Sequence, residues 1–319
     1  MIYRLLKVPA RLALWIFCRH IQVNDKSFLK SEGPLLIASN HPNSFLDAII
    51  LSCLFKQPVH SLARGDVFKS KFNNAFLRSI NMLPVFRSSE GLENMEQNYT
   101  SFDSCREIFK KGGIVLIFIE GRCINEWHLR PFMKGAARLA LSSWDEGIPL
   151  KILPAGLNYQ SFTSFGKNLQ LNFGKIIEKK DINLNEGYGR SISAFNTILQ
   201  KALQPLVYEI NKNDSVLIRK KFRINLPFLK KLFLSVPAGI GYLFHWPLYF
   251  FVQKYAWKKA SHNDHYDSIL VGLLFGLYPL YLILITLVFT VFSGSRWMFL
   301  ILVIAPLCAR SFVQLKKQF

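Results

Sequence analysis

The sequence predicts an α/β domain built on a mixed, largely parallel sheet flanked by helices. An N-terminal interfacial helix precedes it and a C-terminal helical membrane region follows. Three observations lead there. Between Pro34 and Ile210, short apolar runs rich in β-branched residues alternate with stretches of helical periodicity, the pattern of strands joined by crossover helices. Beyond Arg219 that alternation stops, and apolar runs of membrane length replace it. The third is charge: 40 Lys and Arg against 20 Asp and Glu give a formal net charge of +20, in a chain of mean hydropathy +0.20. Soluble domains seldom combine basic and apolar character, whereas membrane proteins facing anionic lipid often do.

The elements follow in order. Residues 1–25 form the first unit. As a helix it gathers Arg4, Lys7 and Arg11 on one face and Leu5, Leu6, Leu12, Ile16 and Phe17 on the other, which fits a helix lying in the membrane interface or an amphipathic helix packed on a core. It does not read as a cleavable leader, because the apolar run from Leu12 to Cys18 is short and ends on Arg19 and His20. Residues 26–218 form the α/β unit. Its expected strands are Pro34–Ser39, Pro58–Ala63, Leu83–Arg87, Ile114–Ile119, Leu150–Leu157 and Leu169–Phe173. The expected helices are Ser44–Leu54, Lys69–Ile80, Leu92–Lys110, Gly135–Trp144 and Ser191–Ile210. Residues 219–319 form the membrane region. Segments 269–292 and 297–313 are expected as a transmembrane hairpin, since a span needs about 20 apolar residues. Segment 232–252 is broken by Pro237, Gly239, Gly241, His245 and Pro247 and reads as in-plane or re-entrant.

The location of the charge excludes nucleic acid as the partner. After Arg219 the basic residues bracket apolar runs, and the only acids are Asp264 and Asp267. That is how membrane flanks look, and it places the α/β unit on the cytoplasmic face. A nucleic-acid groove would instead be a polar surface with stacking aromatics. The five cysteines are scattered, with no Cys-x-x-Cys spacing, so neither a disulfide framework nor a zinc site is expected.

The stretch His41-Pro42-Asn43-Ser44-Phe45-Leu46-Asp47 follows an apolar strand. A carboxylate near an imidazole fixes its tautomer and stabilises the imidazolium formed when the ring takes a proton. Ser44 reads as an N-cap with Asp47 at N3, a capping box, and the tilt of helical side chains leans Asp47 back toward His41. Read alone, the same residues also describe a simple helix cap beside a loop histidine.

Further along, Phe118-Ile119-Glu120-Gly121-Arg122 ends a strand in a charged turn, and Arg130-Pro131-Phe132-Met133-Lys134-Gly135 opens a helix. An Arg fork suits a phosphate, and helix amides beside Lys134 suit an anion. Leu83-Pro84-Val85-Phe86-Arg87 supplies another strand-terminal Arg, and Leu153-Pro154-Ala155-Gly156-Leu157 a strand with a proline at its centre. His262-Asn263-Asp264-His265-Tyr266-Asp267 has metal-ligand residue types but sits between membrane segments, and reads as a polar interfacial loop.

Together these segments resemble, in order and spacing, the PlsC-type glycerolipid acyltransferases, in their membrane-anchored bacterial form. His41 through Asp47 is similar to that family's first block, Leu83–Arg87 to the second, Phe118–Arg122 with its continuation to Ala137 to the third, and Leu153–Leu157 to the fourth. Two departures stand out: five residues rather than four separate His41 from Asp47, and no Thr lies between Gly121 and Arg122.

The resemblance implies acyl transfer from a thioester donor, acyl-CoA or acyl carrier protein, to a lysophosphatidate or glycerol-3-phosphate acceptor in phospholipid biosynthesis. His41 and Asp47 would be the catalytic pair. Arg87, Glu120, Gly121, Arg122 and Lys134 would bind substrate, without metal or cofactor. The partners implied are membrane lipid, the acyl donor and the phosphorylated acceptor. The rival expectation is a non-catalytic, membrane-anchored lipid-binding or scaffold protein that keeps the fold.

Overall fold

The computed structural model describes residues 2–86, 93–184, 187–260 and 262–317; for 93–99 it gives the backbone course alone. Arg87, the predicted phosphate ligand of the second block, lies outside the described residues.

Helix α1 (Ile2–Phe17) leads directly into strand β1 (Cys18–Val23). The chain continues through β2 (Leu35–Ser39), α2 (Phe45–Leu54), β3 (Val59–Arg64), α3 (Lys71–Ser79), β4 (Met82–Val85), α4 (Glu93–Lys110) and β5 (Ile114–Phe118). Then come α5 (Gly135–Asp145), β6 (Lys151–Tyr159), β7 (Lys167–Phe173), α6 (Tyr188–Leu203) and α7 (Ser215–Phe222). The last three helices are α8 (Phe228–Ala260), α9 (Tyr266–Ser293) and α10 (Ile301–Leu315).

The strands form one seven-stranded sheet in the order β1-β7-β6-β2-β5-β3-β4. All neighbours are parallel except β6 and β7, which run antiparallel across a short connection. Alternate residues of the central strands face opposite ways. Leu35, Ile37, Leu116, Leu153 and Leu157 pack under α2, with Val252 and Ala256 of α8 and Leu270 of α9 in the same layer. Leu36, Ala38, Val115, Ile117 and Ile152 pack on the other side, against Phe109, Leu139, Phe195 and Leu199. The sheet is therefore covered on both faces, as a parallel sheet requires.

Several expectations are corrected. The helix expected through residue 25 stops at Phe17, and Cys18–Val23 pairs in parallel with β7 as the outermost strand. Its alternating short run, interrupted by Arg19 and His20, hid a strand whose partner lies about 150 residues away. The basic face of α1 reaches the end of α2. Lys7 Nζ donates to Phe55 O at 2.6 Å, Arg11 Nε to Cys53 O at 2.7 Å and Tyr3 OH to Ser52 O at 3.1 Å. These cations sit on the unpaired carbonyls at the C-terminus of α2, where the helix dipole favours them. Ile2, Leu5, Val8, Leu12 and Trp15 are left exposed on α1. Helix α6 ends at Leu203, just ahead of Pro205, and does not reach Ile210.

Segment 232–252 is not interrupted at its prolines and glycines. It lies within the single 33-residue helix α8, which runs through Pro237 and Pro247 and is about 50 Å long at the usual rise. Flanking helices pack closely along it: Tyr281 OH donates to Phe244 O at 2.6 Å, and Gly241 lets Cys308 of α10 approach so closely that a Cβ would lie 2.2 Å from its carbonyl oxygen. Among the described residues, Tyr266–Ser293 and Arg296–Leu315 are long and apolar enough to cross a membrane. The α10 end is tied to the α/β domain by buried Arg19, which donates to Val313 O at 3.0 Å and to Lys316 O, and by Arg310, which donates to Cys18 O at 2.5 Å and Arg19 O at 2.8 Å.

Candidate active site

The site is assembled at the carboxyl ends of β2, β5 and β6, which lie side by side. Ligands of open α/β sheets settle at this edge, because the loops there converge. Where β2 ends, Asn40 uses its side chain as a backbone would. It accepts from Leu157 N at 2.8 Å and donates to Leu157 O at 3.0 Å, extending the ladder to β6 for one more residue and fixing where the next turn begins.

His41 follows in that turn, ahead of α2, and Asp47 lies in the helix's first turn. His41 Nδ1 and Asp47 Oδ2 are 2.9 Å apart. The extra residue between them falls in the turn, so the longer spacing still brings the groups together. The imidazole stacks on the Phe118 ring with centroids 3.8 Å apart and planes 9° from parallel. Its side chain is 18% exposed while that of Asp47 is fully buried. Nε2 of His41 has no hydrogen-bond partner among the described residues.

Asp47 accepts three hydrogen bonds: from His41, from Asn43 N at 2.8 Å and from Tyr159 OH at 2.6 Å. The capping box is not formed. Ser44 makes no side-chain cap, and its φ of 51° puts a non-glycine residue in the left-handed region. The carboxylate that would have closed the box is turned back onto His41 and Asn43. Burial, and then Asp47, hold the Tyr159 phenol well above its ordinary pKa, so it stays a donor.

The loop after β5 braces the same turn. Glu120, 4% exposed, accepts from His41 N at 3.1 Å, from Arg130 N at 3.1 Å and from Arg130 Nη2 at 3.1 Å. Arg130 also donates to Arg122 O, closing the loop on itself. Gly121 takes φ +69°, and a Cβ there would meet Met133 Cγ at 2.8 Å, so the tight corner requires glycine. Ile124 N donates to His41 O at 3.3 Å, and Ser44 N to Cys123 Sγ at 2.9 Å. Burial, and secondarily Asp47, push the Cys123 thiol up, so it is not an activated nucleophile.

The structure thus brings His41, Asp47 and Glu120 into one hydrogen-bonded network. Arg122 and Lys134 are exposed, Lys134 at the N-cap of α5, and among the described residues neither makes a side-chain hydrogen bond. Among the described residues, no group of three His, Cys, Asp or Glu is arranged to hold a metal. Sequence reasoning missed Asn43, Arg130, Tyr159, Lys167 and Asp267. Asp267 was not an interfacial loop residue but a fully buried carboxylate in α9, paired with fully buried Lys167 and accepting from Asn43 Nδ2 at 2.7 Å. Its signal was rarity: an acid inside a long basic and apolar region is costly unless it has a partner.

A His–Asp pair thus lies at the carboxyl edge of a doubly covered α/β sheet to which long apolar helices are attached. Residues 20–158 match the family model described as Acyltransferase, over somewhat less than half of the chain. Over 121 residues it is 26% identical to 1-acyl-sn-glycerol-3-phosphate acyltransferase of Bacillus subtilis (strain 168), a stretch covering 38% of this chain and 56% of that relative. The chain therefore matches little more than half the length of that curated relative. The crystal structure of the 1-acyl-sn-glycerophosphate (LPA) acyltransferase PlsC from Thermotoga maritima aligns with a TM-score of 0.46 and 15% identity, over 63% of this chain and 77% of that one.

Proposed function

We propose that this protein is a membrane-bound O-acyltransferase of glycerolipid synthesis. It moves a fatty acyl group from a thioester donor, acyl-CoA or acyl carrier protein, to a hydroxyl of lysophosphatidate or glycerol-3-phosphate. The observation that carries this reading is the 2.9 Å contact between His41 Nδ1 and Asp47 Oδ2, which leaves Nε2 as the free nitrogen of a partly exposed ring.

Asp47 accepts a hydrogen bond from Nδ1–H, holding the tautomer whose lone pair is on Nε2. Nε2 takes the proton of the acceptor hydroxyl as its oxygen attacks the thioester carbonyl. The tetrahedral adduct then expels the thiolate, which leaves as a thiol with the proton held on Nε2. Buried Asp47 stabilises the imidazolium in between. A thioester is already activated, so the reaction calls for no cofactor, and positioning with base catalysis is sufficient chemistry. Glu120 and Gly121 shape the loop beside His41, while Arg122, Lys134 and Arg87 supply cations for the acceptor phosphate.

Residues 26–218 would act as the catalytic unit on the cytoplasmic face, with 219–319 in the bilayer. The exposed apolar faces of α1, α8 and α9 match a substrate that never leaves the membrane surface. Incubating membranes that carry the protein with one labelled acyl donor and a panel of acceptors, read by mass spectrometry, tests the proposal. Phosphatidate formed from lysophosphatidate is the expected product. No transfer to any acceptor would leave the scaffold reading in its place.

A further inference from the structure

The start of α9 reaches into the turn that holds His41 and Asp47. Asp264 O lies 3.8 Å from Cys123 Sγ, His265 Nδ1 lies 2.7 Å from Ser44 Oγ, and Asp267 Oδ2 accepts from Asn43 Nδ2 at 2.7 Å. Asn43 and Ser44 are the corner of that turn. Asn43 N donates to Asp47 Oδ2 at 2.8 Å, and Ser44 is the residue held at φ 51°. A non-glycine residue stays in that region only where its surroundings over-determine it. Here they do: Ser44 N is bound to Cys123, and its hydroxyl to His265.

Asp267 is in turn held by Lys167 of β7, with both side chains fully buried. Two apolar side chains would fill that space without the desolvation a buried ion pair carries. What they would not do is fix the direction of Asn43, whose amide needs an acceptor at one place. Lys167 and α9 also lie beyond the segment 20–158 that matches the acyltransferase family, so this anchor is added from outside it.

We infer that Asp267, held by Lys167, is a positioning residue of the acyl-transfer site: it fixes the Asn43–Ser44 corner, and so the aim of Asp47 on His41, from the first turn of a membrane helix. The inference rests on the acyltransferase reading. Seating α9 against the α/β domain thereby completes the catalytic turn, which links membrane integration of the hairpin to activity.

The test uses the full chain in membranes with three variants. Lys167→Met/Asp267→Leu removes both charges and the acceptor for Asn43. Lys167→Met/Asp267→Asn removes the charges but keeps an acceptor oxygen. Asn43→Ala leaves the ion pair intact and cuts only its link to the turn. The first and third are expected to lose kcat by about 10- to 100-fold with KM for donor and acceptor unchanged, the signature of a misaimed base. The Asp267→Asn double variant is expected to recover most of the loss, although its charge change is the same.

A purely structural ion pair predicts that both doubles behave alike and that activity tracks thermal stability. Wild-type kcat in the Asp267→Leu double variant overturns the inference while leaving the acyltransferase reading standing. If neither double variant accumulates in membranes, Asn43→Ala decides: an intact kcat overturns the inference, and a loss at wild-type thermal stability supports it. A wild-type protein without transfer activity overturns the acyltransferase reading, and the inference with it.

Discussion

Tyr159 OH donates to Asp47 Oδ1 at 2.6 Å, so the last residue of β6 holds the oxygen of Asp47 that faces away from His41. A carboxylate bound at both oxygens is fixed in rotation as well as position, and its partner imidazole inherits that orientation. Three strands thus converge on one contact: β2 delivers His41, β6 delivers Tyr159, and β5 delivers Glu120 beneath the His41 backbone.

His41→Ala removes the proposed base. Turnover is expected to fall by about 10²- to 10⁴-fold with the fold retained, because the ring is partly exposed and packs chiefly on Phe118. Asp47→Asn is expected to fall within the same range, since the amide no longer holds a single imidazole tautomer. Rates of labelled acyl transfer in membranes, set against the amount of folded protein, check both. Unchanged turnover in His41→Ala would mean that the base lies elsewhere.

Tyr159→Phe deletes a hydroxyl and leaves a buried carboxylate oxygen without its donor. The expected cost is about 1–3 kcal/mol of stability, with a lower kcat and little change in KM. Thermal unfolding beside steady-state kinetics measures the two effects separately.

Alkaline titration gives a distinct signature for the same residue. The folded-state pKa of Tyr159 lies well above the ordinary 10.0, chiefly through burial, whereas in the unfolded chain the phenol titrates normally. The unfolded chain therefore releases this proton first as the pH rises. The stability the group contributes is complete below pH 10 and is lost as the pH climbs toward the folded value. The difference in ultraviolet phenolate absorbance between wild type and Tyr159→Phe is expected to stay flat through pH 10. A normal phenolate step there would contradict the buried hydrogen bond.

Glu120→Ala leaves the Arg130 guanidinium, 11% exposed, without its buried carboxylate. Losing one partner of a buried pair costs about 3–5 kcal/mol, less here because Glu126 Oε1 still lies 3.5 Å from Arg130 Nε, and the change also frees the His41 backbone amide. Expression and thermal midpoint are expected to drop together with activity. Glu120→Gln, which keeps an acceptor, is expected to fall between the two.

Arg122 and Lys134 are exposed and make no side-chain hydrogen bond among the described residues, so their loss has little to destabilise. Replacing both by Ala is expected to leave the thermal midpoint unchanged. It is expected to raise KM for a phosphorylated acceptor by roughly 10- to 100-fold, the worth of a charged contact. An acceptor series with and without phosphate distinguishes this from a general loss of activity.

How much of this was legible beforehand depends on the range of the interaction. The sheet strands from β2 to β7 and the helices between them followed from periodicity, because each buries a face that its own spacing displays. The approach of Asp47 to His41 and the turn at Glu120 were legible from short blocks, since each block is a strand end with its own turn. Strand β1 was not, because its pairing partner is β7, far along the chain. The continuity of α8 through two prolines was not, because the helices it packs between, α9 and α10, lie further along the chain.

The sequence by itself determined the fold class and the turns around His41 and Glu120, through patterns confined to a few turns of chain. Only the tertiary structure decided that Lys7 and Arg11 cap α2, that Tyr159 holds Asp47, and that Asp267 and Lys167 pair beneath Asn43. Those contacts join groups about 40 to 220 residues apart. Hydrogen bonds and ion pairs of that kind depend on where the packed core places each group, and no local spacing encodes that placement.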